Sequence, residues 1–326
     1  MLKKSLILSM LMSTLPLLLF SAGCGKTTTK GGAQRGQASS PTKADKFSVA
    51  FSAVLSPNGD SVTGPASSST PDPETATDGA VEKPPSRGAI VGVVKWNGPL
   101  PALDPVFVSK DAHVCAEHGR QERPSERLIA SPSNGGIRNS VVYLSGKFED
   151  GKPLSELEYP DTLNQRTCSY EPRVFVMPVG ARLTMTSEDE VGHNVHMSGA
   201  VDLNIAVSKG GRSSRRLEQA GLVKIGCDIH PWMTGYIHVV RHPYYAVTAA
   251  DGQFELSDVP AGTHQIRLWH EAWWTEDGKL AEPLVVTESV TVRAGQTTRV
   301  VFEFSDPAQT RMAGSASPNS RSKQVR

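Results

Sequence analysis

The chain has 326 residues, a formal net charge of +1 and a pI near 7.7. This balance argues against a protein that binds nucleic acid through its overall charge, because that class carries a basic excess. It also argues against a strongly acidic, solvated protein.

The N-terminal segment has the features of an export signal. Two lysines precede an apolar run that ends at Phe20. The run is short for a membrane span, which predicts a cleaved signal peptide over residues 1–24. The run Ser21-Ala22-Gly23-Cys24 resembles the lipobox of bacterial lipoproteins, which implies that Cys24 is lipidated and that lipid alone attaches the protein to a membrane. An ordinary secretory signal is the alternative, and both place the protein outside the cytoplasm.

Residues 25–86 are rich in Gly, Ser, Thr, Pro, Ala and Lys and contain few aromatic residues. Such a composition buries too little apolar surface to offset the entropy of ordering, so we predict a disordered tether. An apolar patch at 47–55 interrupts the tether and is expected either to add a strand or to dock weakly. Residues 306–326 are basic and rich in Ser, and are predicted to form a disordered tail.

Residues 87–242 contain short β-branched, alternating runs separated by Gly, Pro and Asn. This pattern predicts an all-β fold, with antiparallel strands forming a β-sandwich. Val223, Ile225 and Cys227 share one face of a strand by the two-residue period, which places the Cys227 sulfur on the buried side. The clearest strand runs cover 88–96, 140–144, 174–177 and 181–186.

Four residues of this region form a possible metal-ligand set. Cys227, His230 and Met233 are spaced three apart, and His193 lies upstream. One thiolate, two imidazoles and one thioether are the ligands of a blue-copper electron-transfer site, which predicts one copper ion. A structural zinc site is one alternative, although Met is a poor zinc ligand and no second Cys lies nearby. A related domain that has lost its metal is another.

The loop Cys227-x-x-His230-x-x-Met233 and the segment His193-Asn194-Val195-His196 resemble the cupredoxin family, and amicyanin and plastocyanin in particular. The resemblance implies a Greek-key β-sandwich over 87–242 and a type 1 copper site. In that site the equatorial ligands would be His193, Cys227 and His230, and the axial ligand would be Met233. His196 would not be a ligand.

The same resemblance implies roles for the neighbours of the ligands. Asn194 would hold the loops together and donate a backbone hydrogen bond to the Cys227 sulfur. The imidazole edge of His230, with Pro231 and Trp232, would form a weakly polar docking patch and electron port.

A second unit is predicted over residues 243–305. Asp251-Gly252 between apolar runs predicts a hairpin. The sequences Asp-Gly-Gln-Phe at 251–254 and Val-Pro-Ala-Gly-Thr at 259–263 resemble the carboxypeptidase regulatory-like domain, which implies a small transthyretin-like sandwich that serves as a scaffold. His270 and Glu271, beside two tryptophans, are expected to pack between domains rather than to bind a metal or a sugar.

Cys115 and Cys168 remain once Cys24 and Cys227 are assigned. An oxidising compartment favours a disulfide between them. The alternative is an additional metal or redox site with His113 or His118. Attachment of haem is not expected, because no Cys-x-x-Cys-His run is present.

These features predict a lipid-anchored copper protein that carries single electrons between redox protein partners, is not an enzyme and binds no nucleic acid. The alternative is a surface binding or adhesion lipoprotein, in which two β-sandwiches recognise carbohydrate or protein and the metal is structural or lost. A copper oxidase or reductase would need a further catalytic metal, for which the sequence offers no convincing His cluster.

Overall fold

The computed structural model describes residues 48–56, 86–148, 153–271, 273 and 283–305. All of them belong to one compact unit, Ala44–Arg326. The predicted signal peptide with Cys24, most of the predicted tether and the predicted tail lie outside the described residues. Within the described ranges, no helix is long and apolar enough to cross a membrane.

The described chain is almost entirely β-structure, so the predicted all-β sandwich class is confirmed. One α-helix and one 3₁₀ turn accompany the strands, at Ala112–Cys115 (α1) and Leu154–Glu156. In chain order the strands are β1 Ser48–Ser56, β2 Arg87–Asn97, β3 Val106–Phe107, β4 Glu122–Arg123, β5 Val141–Ser145, β6 Thr162–Arg166, β7 Ser169–Glu171, β8 Val174–Pro178, β9 Arg182–Ser187, β10 His193–Gly199, β11 Leu203–Val207, β12 Arg212–Arg216, β13 Gly221–Gly226, β14 Thr234–Val240, β15 Tyr245–Val247, β16 Gln253–Pro260, β17 Gly262–His270, β18 Leu284–Val292 and β19 Thr297–Ser305.

Strands β6 to β14 form a first sandwich. One sheet has the order β11-β10-β13-β14-β8, and the other has the order β12-β9-β6-β7. Alternate residues of both sheets face a common core, which includes Met185, Met197, Ile225 and Ile237. Val223, Ile225 and Cys227 are all buried, as the two-residue period predicts.

The remaining long strands form a second sandwich. Its sheets have the orders β1-β19-β2-β16 and β15-β5-β17-β18, and its core includes Ile90, Leu144, Phe254 and Phe302. The sequence assigned β2 and β5 to the copper domain at 87–242, but both pair with strands that follow residue 244. That boundary is therefore wrong for these two strands.

The first sandwich is inserted between two neighbouring strands of the second. β5 precedes the first sandwich and β15 follows it, and the two pair antiparallel with Tyr143 opposite Tyr245. The chain consequently leaves and re-enters the second sandwich at almost the same point. Inserted domains are tolerated where their two ends lie close together. The second sandwich can therefore form one continuous core although the first sandwich interrupts its sequence.

Strand pairing decides between the two alternatives for the apolar patch and corrects the predicted hairpin. Residues 48–56 of the predicted tether form β1 and pair antiparallel with β19, so the apolar patch adds a strand. Asp251-Gly252 makes a tight turn, with the Gly252 N–H donating to the Ala249 carbonyl at 3.0 Å. The strands on either side of this turn, β15 and β16, lie in different sheets and do not form the predicted hairpin.

The two sandwiches meet through an apolar cluster and a buried ion pair. Val141 and Trp269 of the second sandwich pack with Val174, Val176 and Tyr236 of the first. Glu271, at the end of β17, pairs with Arg173 just before β8. Glu271 thus packs between the sandwiches, as predicted, whereas the buried ring of His270 packs on Trp273 and Phe304 of the second sandwich.

Candidate metal centre

The first sandwich brings the predicted ligands to one end of a single sheet. His193 is the first residue of β10, and Cys227 directly follows β13. These two strands are neighbours, with His196 opposite Gly226. The loop to β14 is closed by two backbone bonds, from Met233 N–H to the His230 carbonyl at 2.9 Å and from Cys227 N–H to the Met233 carbonyl at 3.2 Å.

The side chains of His193, Cys227 and His230 converge. The Nδ1 atoms of the two imidazoles are 2.9 Å apart, and the Cys227 Sγ is 3.9 Å from Nδ1 of His230. A set of one ligand atom from each residue lies within 4.8 Å of one another. All three residues are at most 5% exposed. Met233 is 1% exposed and belongs to the same core cluster as Cys227.

Asn194 connects the two segments that carry His193 and Cys227. Its Oδ1 accepts the Asp228 N–H at 2.8 Å and lies 3.3 Å from the Cys227 sulfur, which donates to it. Its Nδ2 donates to Asp228 Oδ2 at 2.8 Å and to Asn204 Oδ1 at 2.7 Å. Both the oxygen and the nitrogen of the Asn194 side-chain amide therefore connect the start of β10 to the loop after β13.

The Cys227 thiol is prepared for ionisation. Burial raises its pKa, but hydrogen bonds from His193 and from the backbone of Asn194, His230 and Ile229 outweigh burial and lower the pKa below the ordinary value. A thiolate is the form that binds a metal. The local hydrogen bonds thus favour the ligating state of the sulfur.

Each imidazole has a carboxylate on its outer nitrogen, which the sequence analysis missed. His193 Nε2 is 2.8 Å from Asp189 Oδ2, and His230 Nε2 is 2.9 Å from Asp111 Oδ2. Asp189 lies only four residues before His193 and could have been suspected from that spacing. Asp111 lies 119 positions before His230 and carries no such signal.

The pKa values of the two imidazoles are shifted in opposite directions. Burial lowers the pKa of His193, but its bonds to Asp189 and Cys227 outweigh burial and raise the pKa to about 9. Burial also lowers the pKa of His230, and there it wins, with the neighbouring His193 adding to the effect. The surroundings of His193 thus favour its protonated form, whereas those of His230 favour its neutral form.

Cys115 and Cys168 are joined in a disulfide, with their Cα atoms 5.1 Å apart. Cys115 lies in α1, within the segment 106–123 that also contains β3 and β4, and this segment, here called the cap, covers His230 through Asp111 and Cys115. Both sulfurs approach a ring nitrogen of His230 within 4.8 Å. His113 and His118, the alternative partners of these cysteines, are exposed and belong to none of the ligand clusters found among the described residues.

The cap changes the expected electron port. His230 is 0% exposed, because Asp111 and the disulfide cover the imidazole edge that was expected to face solvent. Of the other two residues, Pro231 is exposed and Trp232 is partly buried. The Trp232 indole N–H donates to the Cys168 carbonyl at 3.2 Å, and its ring centroid is 5.0 Å from that of His230. An imidazole port is therefore contradicted.

His196 points away from the ligand cluster. Its side chain is 44% exposed, and its Nδ1 is 2.8 Å from Asp228 Oδ1. Side chains alternate between the two faces of a strand, so residues three apart, such as His193 and His196, lie on opposite faces and cannot both face the core. Of the two histidines in this segment, only His193 joins the cluster.

No family model matches the chain, and no curated protein does. Among solved structures, it is similar to a purple cupredoxin from Nitrosopumilus maritimus, with 25% identity over 24% of this chain and 98% of that one and a TM-score of 0.22. It is similar to a copper-containing nitrite reductase from Thermus scotoductus, with 22% identity over 30% of this chain and 25% of that one and a TM-score of 0.24. A reduced Cu(I) form of an amicyanin mutant shows 22% identity over 30% of this chain and 98% of that one, with a TM-score of 0.23.

Proposed function

We propose that the chain is a type 1 copper protein that carries single electrons between redox protein partners. The observation that supports it most strongly is the convergence of the His193 and His230 Nδ1 atoms with the Cys227 sulfur in a buried site. Met233 lies in the same short loop and is buried in the same core.

The donor set fits copper better than zinc. Two imidazoles and a thiolate, with a nearby thioether, suit a metal that alternates between Cu(I) and Cu(II), and copper would supply that one-electron exchange. A structural zinc site usually takes four nitrogen or sulfur ligands without Met. Among the described residues, Cys227 is the one free cysteine, so a second thiolate is not at hand.

The surrounding residues suit electron transfer rather than substrate chemistry. Asn194 and the backbone bonds of the loop hold the ligands in place before metal binds, so little needs to move when the charge of the site changes. The three proposed ligands are at most 5% exposed, which would keep water and substrates away from a bound metal. We therefore propose a carrier and not an enzyme.

The protein is proposed to act outside the cytoplasm, tethered to a membrane through lipid on Cys24. The disulfide between Cys115 and Cys168 supports an oxidising compartment, where such bonds persist.

The test is the visible and electron paramagnetic resonance spectrum of the protein loaded with Cu(II). We expect an intense visible band from charge transfer between thiolate and copper, and its loss in Cys227→Ser. His193→Ala should also remove the band. His196→Ala is the matched control, because its exposed ring contacts Asp228 and not the ligand cluster, and it should retain the band.

A colourless copper-loaded protein, or a band that survives Cys227→Ser, would refute a blue-copper site. Loss of the band in His196→Ala but not in His193→Ala would show that His196, and not His193, is the first ligand. Tight zinc binding with no copper band would favour a structural metal site.

A further inference from the structure

We propose that Asp111 and Asp189 are positioning residues that set the reduction potential of the metal centre, and that the Cys115–Cys168 disulfide holds them in place. The inference depends on the proposed copper site. It concerns the outer nitrogen of each ligand imidazole, which in both cases faces a carboxylate rather than solvent.

Asp189 is built into a rigid position. One carboxylate oxygen accepts the Thr167 N–H at 2.7 Å, and the other accepts the Cys168 N–H at 2.8 Å as well as the contact with His193 Nε2. The residue is 6% exposed. A buried carboxylate with three donors is held in one orientation, so it also fixes the ring of His193.

Asp111 contacts the other ligand imidazole, that of His230. Its side chain is 27% exposed and its Oδ2 contacts Nε2 of a ring with no exposed surface. Its backbone carbonyl accepts the N–H groups of Val114 and Cys115 at 2.9 Å, which starts the short helix α1. The position of this carboxylate is thus coupled to Cys115.

A single covalent bond, the Cys115–Cys168 disulfide, links the segment that carries Asp111 to the one that holds Asp189. Cys115 is the last residue of α1, which begins directly after Asp111, and the Cys168 N–H donates to Asp189. The disulfide between them closes a chain of contacts from one ligand imidazole to the other. It lies against the site itself, since both sulfurs come within 4.8 Å of a His230 ring nitrogen.

The arrangement has two consequences for a bound metal. A carboxylate that accepts the Nε2–H leaves Nδ1 as the lone-pair nitrogen facing the metal and raises its basicity. Two negative charges so close to the site also stabilise Cu(II) more than Cu(I), because the oxidised ion carries the larger charge. Both effects lower the reduction potential.

The test is voltammetry of copper-loaded Asp111→Asn and Asp189→Asn. Asparagine keeps an acceptor oxygen but removes the charge. Because outer-sphere partners typically change metal affinity by about 10–100-fold, we expect each variant to weaken Cu(II) relative to Cu(I) by at least about tenfold. This change corresponds to an increase of about 59 mV for a one-electron couple. Glu190→Gln is the control, because this exposed carboxylate next to Asp189 pairs with Lys209 and touches neither imidazole.

A second readout follows the hydrogen bonds directly. In the diamagnetic Cu(I) protein, nuclear magnetic resonance should show slowly exchanging Nε2–H protons on both ligand imidazoles. Asp111→Ala should remove protection of the His230 proton alone. A merely structural role for Asp111 would leave that proton and the potential unchanged.

The disulfide is tested with a Cys115→Ala/Cys168→Ala variant, which should raise the potential in the direction of the two asparagine variants. Asp189→Asn also disturbs the loop at Thr167, so Asp111→Asn is the deciding variant. If the native protein gives the blue band but Asp111→Asn shifts the potential no more than Glu190→Gln, the inference is wrong while the proposed function stands. If the copper-loaded native protein and all the variants lack the blue band, the proposed function itself fails.

Discussion

The buried ion pair between the two sandwiches should contribute strongly to stability. The Glu271 carboxylate is 2% exposed and accepts the Arg173 Nε at 2.9 Å and Nη2 at 2.8 Å. Arg127 approaches the same carboxylate at 3.3 Å. Burial lowers the pKa of Arg173, but Glu271 outweighs burial and raises it, so the guanidinium stays charged.

Replacing Glu271 with Ala leaves that guanidinium buried without its main partner. Removing one member of a buried pair costs about 3–5 kcal/mol, which is a large part of the roughly 5–15 kcal/mol by which domains are stable. For a urea slope of about 3 kcal/mol per molar, the unfolding midpoint should fall by about 1 M. The shift is therefore easy to measure by circular dichroism.

The matched control is Glu126→Ala. Glu126 also lies near Arg173, at 3.7 Å, but its side chain is 44% exposed. Because Glu126 is largely solvated and 3.7 Å from Arg173, we expect it to contribute about 0–1 kcal/mol, as is typical of surface pairs, so the control should lose little stability. The double variant Arg173→Met/Glu271→Leu should recover most of the lost stability. Apolar replacement of a buried ion pair is often neutral, or stabilises the protein by about 1–4 kcal/mol. If Glu271→Ala loses no more than Glu126→Ala, the ion pair does not hold the sandwiches together.

Two further predictions concern the metal loop and the acid sensitivity of the fold. Met233→Gln should keep copper bound and coloured but lower the potential measured by voltammetry, because an amide oxygen favours the oxidised ion; an unchanged potential would mean that Met233 does not face the metal. Burial lowers the pKa of His238 to about 3, whereas an unfolded histidine takes up its proton near a pKa of about 6.5. The unfolded state therefore binds more protons in this window, and the free energy of unfolding should fall as pH decreases from about 6.5 toward 3. His238→Phe should flatten this fall in urea titrations at several pH values, and the exposed His113→Ala should not; equal slopes in the two variants would contradict the assignment.

The sequence by itself determined the strands and the local part of the metal centre. Cys227, His230 and Met233 lie within one short stretch of sequence. The two-residue period of a strand is enough to place Cys227 on the buried face with Val223 and Ile225. Such features depend on neighbours a few residues apart, so they can be read without knowledge of the fold. The distinction between His193 and His196 came from the family resemblance, and the structure directs only His193 into the cluster.

Only the tertiary structure decided which strands share a sandwich and what surrounds the ligands. β5 and β15 pair across an entire inserted domain, and no local pattern distinguishes that pairing from the one the sequence suggested. In the same way, Asp111 covers His230 from 119 positions away, which replaces an expected solvent-facing port with a buried carboxylate contact. Side-chain periodicity tells which face of a strand is buried, but not what buries it. That depends on contacts between distant parts of the chain, and these form only when the whole chain folds.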